Sequence, residues 1–309
     1  MECLAKQAIR TAKNIDFCEI ELIGQESKKV LGNYQKEVLA FFAEKFGIVF
    51  GEDIEIPPTF LAVVLYDKIS QVLQNNAPYS EIKKQSIIKA RKIKEKLLER
   101  MALMPKEDRL AFAISCAVLG NVIDYGAEHS YDIEEESNKI FHTDFAYFHL
   151  EALLERLRET KKLVYIGDNA GENELDEILI EVLKDCYPQM QIFYFVRGME
   201  IINDITLNDL KNSHSRLFAL CEVVDSGVPS PGFIYPLANV QSQTIFKEAD
   251  LVFAKGMGNF ESMEKIARED SRIFFLFKIK CNVIADYLNK RLGELVLLSP
   301  YILHKGLVC

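Results

Sequence analysis

After residue 160 short β-rich runs alternate with helical ones, and this alternation restricts the fold more than any other feature of the chain. The β-rich runs are residues 163–166, 191–196, 216–224, 251–254, 272–277 and 295–298. Helical spacing of apolar residues fills most of the gaps, at 174–184, 260–268 and 283–290. Such alternation predicts a mostly parallel sheet flanked by helices on both faces. If the strands are parallel, the loops that follow them emerge on one edge, where open α/β sheets bind ligands.

The first half reads differently. Apolar residues recur at helical spacing over 4–12, 37–46, 56–73, 80–103, 110–120 and 145–159. Pro57 and Pro58 suit the opening turn of a helix, where a missing N–H costs nothing. The 80–103 segment carries Lys83, Lys84, Lys89, Arg91, Lys92, Lys94 and Lys96, which reads as a solvated basic face. The expectation is an α/β protein: a helical N-terminal domain over 1–160, then an α/β domain over 161–309. No internal repeat is visible.

Composition excludes several classes. The chain has 309 residues, 49% apolar and 27% charged, with a net charge of -9. That net charge argues against a general nucleic-acid binder, since phosphate backbones need clustered cations. No uncharged apolar run is long enough to span a bilayer. The opening Met-Glu-Cys-Leu-Ala-Lys-Gln lacks the basic and apolar regions of a signal peptide, so a cytoplasmic location is expected. Seven scattered cysteines fit a reducing compartment.

The loops carry the chemistry. After the first β-rich run come Gly167, Asp168 and Asn169, then a flexible Gly171 and a helix. A carboxylate beside a carboxamide offers a cation two oxygen ligands. After Val196 comes Arg197-Gly-Met-Glu-Ile-Ile-Asn203-Asp204-Ile-Thr206; here Asp204 reads equally as a helix cap, although Thr206 can fill that role. Asp225-Ser226-Gly is a turn signal. Lys255-Gly256-Met-Gly258-Asn259 is more specific. Two glycines ahead of a helix let backbone N–H groups converge on an anion, and the lysine adds charge.

Other nucleotide and phosphate loops fit less well. The final Gly-Lys-Ser/Thr of a Walker A loop is missing, and Gly167 and Gly171 do not make a dinucleotide-binding fingerprint. A haloacid-dehalogenase-type loop needs an Asp where Ala170 stands. The five histidines show no zinc spacing.

Together these motifs resemble the damage-control phosphatase family, metal-dependent phosphatases of which some members were described as acidic-residue methyltransferases. The resemblance rests on Gly167-Asp-Asn-Ala-Gly-Glu172, Asn203-Asp-Ile-Thr206 and Lys255-Gly-Met-Gly-Asn-Phe-Glu261, with Tyr79-Ser-Glu-Ile-Lys83 and Gly120-Asn121-Val-Ile-Asp124 in the helical half. It implies a divalent metal (Mn, Mg, Co or Ni) held by Asp168, Asn169 and Asp204. It also implies a phosphate held by the Lys255 loop, Gly256, Gly258 and Asn259 included. Glu172, Arg197, Asn203, Asn121, Asp124 and Ser226 complete the expected substrate-binding set. Either Asp168 or Asp204 is the base or nucleophile. The shorter prokaryotic branch is the nearest match, through Cys3 ahead of Gln7-Ala8 and through Lys280-Cys281; it suggests that Cys3 and Cys281 lie close together. The function implied is hydrolysis of a small phosphorylated metabolite. The alternatives are an S-adenosylmethionine-dependent methyltransferase and a non-catalytic metabolite-binding protein.

Overall fold

Pro57 holds an extended conformation, and helix α2 (Pro58–Leu73) starts directly behind it, with proline in the first turn. Before it comes α1 (Tyr34–Phe46), and after it α3 (Ser80–Ala102) and α4 (Arg109–Val122). The computed structural model describes residues 34–49, 56–122 and 145–306. Beyond the first four helices the order is β1 (Phe145–Phe148), α5 (Leu150–Glu159), β2 (Lys162–Ile166), α6 (Glu172–Cys186), β3 (Gln191–Val196), α7 (Leu207–Asn212), α8 (Leu217–Leu220) and β4 (Glu222–Asp225). The chain then continues through α9 (Val240–Glu248), β5 (Leu251–Lys255), α10 (Met257–Ala267), β6 (Ile273–Lys278), α11 (Asn282–Leu288), β7 (Leu295–Leu298) and α12 (Pro300–Lys305).

The strands form one seven-stranded sheet in the order β1-β7-β6-β5-β2-β3-β4. All neighbouring pairs are parallel except β6 and β7. From β2 the chain moves outward to β3 and β4, then crosses back to place β5 on the other side of β2. That reversal makes the gap between β2 and β5 the topological switch point, where doubly wound sheets hold their ligands.

Alternate residues of β2 enter different cores, as the pleat requires. Leu163 and Tyr165 join a cluster with Ile93, Ile114, Leu119 and Ile178, from α3, α4 and α6. Val164 and Ile166 join a second with Phe42, Val64, Phe260 and Phe275, from α1, α2, α10 and β6. Helices from before residue 160 therefore cover both faces of the sheet. The expected boundary at that position falls between α5 and β2.

Three local expectations differ from the structure. Residues 145–148 form edge strand β1, not the start of a helix; their aromatic residues suit a pleated surface, and Phe145 registers with Leu295 of β7. The strand expected over 216–224 is confined to 222–225, because residues 217–220 make a helical turn whose leading N–H groups bond to Glu177 and the Ser215 hydroxyl. The basic face of α3 is not wholly solvated: Lys83 and Lys94 are buried. Lys94 pairs with Glu174 and Glu177 of α6, and Lys83 with Glu200 and Asp209, so acids of the α/β half compensate their charge. Among the described residues no helix is long and apolar enough to cross a membrane.

Candidate metal and phosphate site

Asp168 and Asn169 follow β2 at the switch point, and the loop after β3 folds back onto them. The backbone stitches the two loops together: Ile205 N–H donates to Asp168 C=O at 2.9 Å, and Ala170 N–H to Asn203 C=O at 2.8 Å. Asn169 and Asp204 thereby face each other in an isolated antiparallel bridge. Thr206, not Asp204, caps α7, in a reciprocal capping box with Asp209. Asp204 is thus released from the competing reading its sequence allowed.

Two buried cations organise the acids. Arg197 Nε donates to Asp204 Oδ2 at 2.7 Å, and its Nη2 lies 3.6 Å from Asp168 Oδ1 and 2.8 Å from Pro231 C=O. Lys255 Nζ lies 2.9 Å from Asp176 Oδ1 and 3.1 Å from Glu172 Oε2. Asp176 also accepts from the Tyr165 and Tyr194 hydroxyls at 2.6 and 2.8 Å. The Asn169 amide nitrogen links the two groups, donating to Asp168 Oδ2 at 3.0 Å and Glu172 Oε1 at 2.9 Å. Tyr165, Tyr194 and Asp176 were not anticipated from sequence. Asp176 stands two residues after Glu174 in an acidic helix and carries no local signal of its buried partners.

Four carboxylates, Asp168, Glu172, Asp176 and Asp204, face two cations, Arg197 and Lys255, so the ionised cluster carries two negative charges in excess. All six side chains are buried. Burial first, then Glu172 and Asp204, pushes Asp168 well above the carboxylate range against the pull of Arg197 and Lys280. Burial also pushes Asp204 up to about 6, with Arg197 opposing. Lys255 stays charged: burial works against its ammonium, but Asp176 and Glu172 outweigh it. Among the described residues no three His, Cys, Asp or Glu side chains group as a metal cage. The donor set here, two carboxylates and an amide, fits a hard divalent cation through oxygen chemistry and through the charge it would neutralise.

The other expected residues divide clearly. Asn259 is fully buried and its amide serves the backbone, donating to Gly167 and Lys255 carbonyls and accepting from Phe233 N–H at 2.8 Å. Gly258 packs against Pro231, where a Cβ would fall 2.4 Å from the carbonyl oxygen. The Ser226 hydroxyl holds its own turn through Val196 and Val228. Asn203 contributes its carbonyl. Asp124, the Asn121 side chain and Cys3 lie outside the described residues, so the expected approach of Cys3 to Cys281 does too. Lys280, noticed in the sequence only beside its cysteine, is an exposed cation on the loop after β6 whose charge reaches Asp168.

Residues 1–296 match the damage-control phosphatase ARMT1-like domain. The chain belongs to the damage-control phosphatase family. It is 32% identical over 240 residues to a damage-control phosphatase of Pyrococcus horikoshii, covering 77% of this chain and 80% of that protein. A damage-control phosphatase of Archaeoglobus fulgidus is 28% identical over 243 residues, covering 76% and 80%. The crystal structure of a DUF89 family protein from Pyrococcus horikoshii matches with a TM-score of 0.79 and 29% identity, over 97% of this chain and 96% of that one. Damage-control phosphatases are metal-dependent enzymes, so the chain is a phosphatase of that class. The family match does not favour methyl transfer or a non-catalytic role.

Proposed function

We propose that the enzyme hydrolyses a small phosphorylated metabolite at the β2–β5 switch point, with Asp168, Asn169 and Asp204 holding one divalent ion of the Mg or Mn kind. The observation that carries this reading is the convergence of four buried carboxylates on two buried cations at the ligand-binding edge of the sheet. Co and Ni remain compatible with oxygen donors of this type. When bound, such an ion supplies charge that polarises phosphoryl oxygens.

The chain's own residues divide the remaining work. Arg197 fixes Asp204 and balances its charge, from a position with no exposure of its own. Glu172 anchors the Asn169 amide nitrogen, which leaves the amide oxygen as the remaining donor toward an ion. Lys255, engaged by Glu172 and Asp176, acts on the phosphate through its field and through the loop it starts. Lys280, exposed on the loop after β6 with its charge reaching Asp168, can meet the phosphate directly. Asp168 or Asp204 is the nucleophile or base: burial raises the proton affinity of both, so the charge of each needs a cationic partner.

The test is a phosphate-release screen over sugar phosphates, phosphopantetheine-like compounds and damaged nucleotides, with Mn²⁺, Mg²⁺, Co²⁺, Ni²⁺ or a chelator added. Metal-dependent release from at least one class, abolished by chelator, supports the reading. No release from any class with any ion, in protein that binds the metal, contradicts it.

A further inference from the structure

The helical half grips the Asp204 loop at two points that the phosphatase chemistry does not use. The first is Lys83, near the start of α3. It is fully buried, with Nζ 2.6 Å from Glu200 Oε2 and 2.6 Å from Asp209 Oδ2. Those two acids bracket Asp204 in sequence, and Asp209 is also the partner in the Thr206 capping box. The second is a small core cluster in which Ile201 and Ile202 pack with Ala62, Tyr66 and Ile69 of α2. Ile202 has φ 46, the left-handed region, which a β-branched side chain adopts only when its surroundings force it.

A strained backbone two residues before Asp204 relaxes unless something holds both ends. The apolar cluster holds the strained residue itself. Lys83 holds the segments on either side, through Glu200 before it and Asp209 after it. Inside this frame the loop bonds to its neighbours: Arg197 N–H to Ile205 C=O at 3.0 Å, and Ile205 N–H to Asp168 C=O at 2.9 Å. Slack at Lys83 therefore reaches the backbone of Asp168 as well as Asp204.

We propose that Lys83 is a positioning residue, which clamps the strained Glu200–Asp209 loop to α3 and so sets Asp204 against Asp168. The proposal rests on the reading of Asp204 as a metal donor. Lys83 makes its two ion pairs to the loop and none to Asp168 or Asp204 among those described, and its charge is also felt at Asp204.

The test compares the full chain with Lys83→Met, Lys83→Arg, Glu200→Gln and Asp204→Asn, by calorimetric titration of Mn²⁺ and by amide hydrogen exchange of the metal-free proteins. In Lys83→Met, exchange at the Ile205 and Ala170 amides should quicken while β2 ladder amides keep their protection. Its Mn²⁺ affinity should fall about ten- to hundredfold, the usual effect of losing an outer support. Lys83→Arg should restore most of both. Glu200→Gln, with a partly exposed side chain, should shift both in the same direction by less, and it judges the clamp if Lys83→Met does not fold. Unchanged exchange at Ile205 and Ala170, with Mn²⁺ affinity within about twofold of the parent, overturns the clamp. Wild-type Mn²⁺ binding in Asp204→Asn instead overturns the donor assignment, while the exchange arm still decides the clamp.

Discussion

Gly256 touches Asp168 so closely that a Cβ at residue 256 would fall 1.9 Å from the Asp168 Oδ2. The same glycine stands at φ 83, where side chains are strained whatever the space around them. The first turn after β5 and the first polar residue after β2 are therefore fitted to one another.

Gly256→Ala should displace the Asp168 carboxylate and strain the backbone at once. A misplacement of about 1 Å in a reacting group costs roughly a hundredfold in rate, so kcat/KM should fall at least that far. Steady-state kinetics with far-UV circular dichroism to verify folding decides it; near-normal kcat/KM would mean that Asp168 does not need its present position.

Lys255 and Lys280 lie on the same edge of the sheet and should respond in opposite ways. Lys255→Met leaves Glu172 and Asp176 buried beside no ammonium, which should cost about 3–5 kcal/mol of stability. Lys280→Ala should leave the denaturation midpoint unchanged and raise KM about tenfold, the effect of losing a charged hydrogen bond. Denaturant titration and Michaelis kinetics separate the two. A stable Lys255→Met with a raised KM would reverse the assignment.

This contrast marks how much the sequence discloses. Strand–helix alternation reveals the α/β sheet because period-two and helical patterns are local. Asp168, Asn169 and Asp204 stand out because a polar pair after a buried strand and an Asn-Asp before a helix are local too. What is not local is pairing. Lys83 and Lys94 look like the other lysines of α3, and only Glu200, Asp209, Glu174 and Glu177 make them buried. The loop pattern of Lys255 suggests phosphate binding and carries no sign of Asp176, which lies 79 residues away in sequence. Residues 145–148 read as the start of a helix because the β7 strand that makes them an edge strand comes much later in the chain.

Metal binding should depend on pH through Asp204. Its folded proton affinity is raised to about 6 by burial, against about 3.9 for an exposed Asp. In the metal-free protein the raised value favours the folded state fully below about pH 4, and that contribution disappears as pH rises through about 6. A bound cation needs Asp204 ionised, and Asp168 with it, so its affinity runs the other way: it weakens as pH falls and is lost by the time pH has passed below about 6. Thermal denaturation with and without Mn²⁺ should show a large metal-induced rise in Tm at pH 7.5 and a small one at pH 5. Equal rises at both would exclude Asp204 as the titrating donor.

We propose above all that Asp204 completes an ion site on which phosphate hydrolysis depends. The direct measurement is the initial rate of phosphate release against Mn²⁺ concentration, for the wild-type chain and for Asp204→Asn, which keeps the size and removes the charge. Wild-type protein should saturate with Mn²⁺. The variant should stay below about 1% of that rate at every concentration, as expected when a ligand carboxylate is lost from a catalytic metal. A variant that saturates with Mn²⁺ at the wild-type rate would contradict the account.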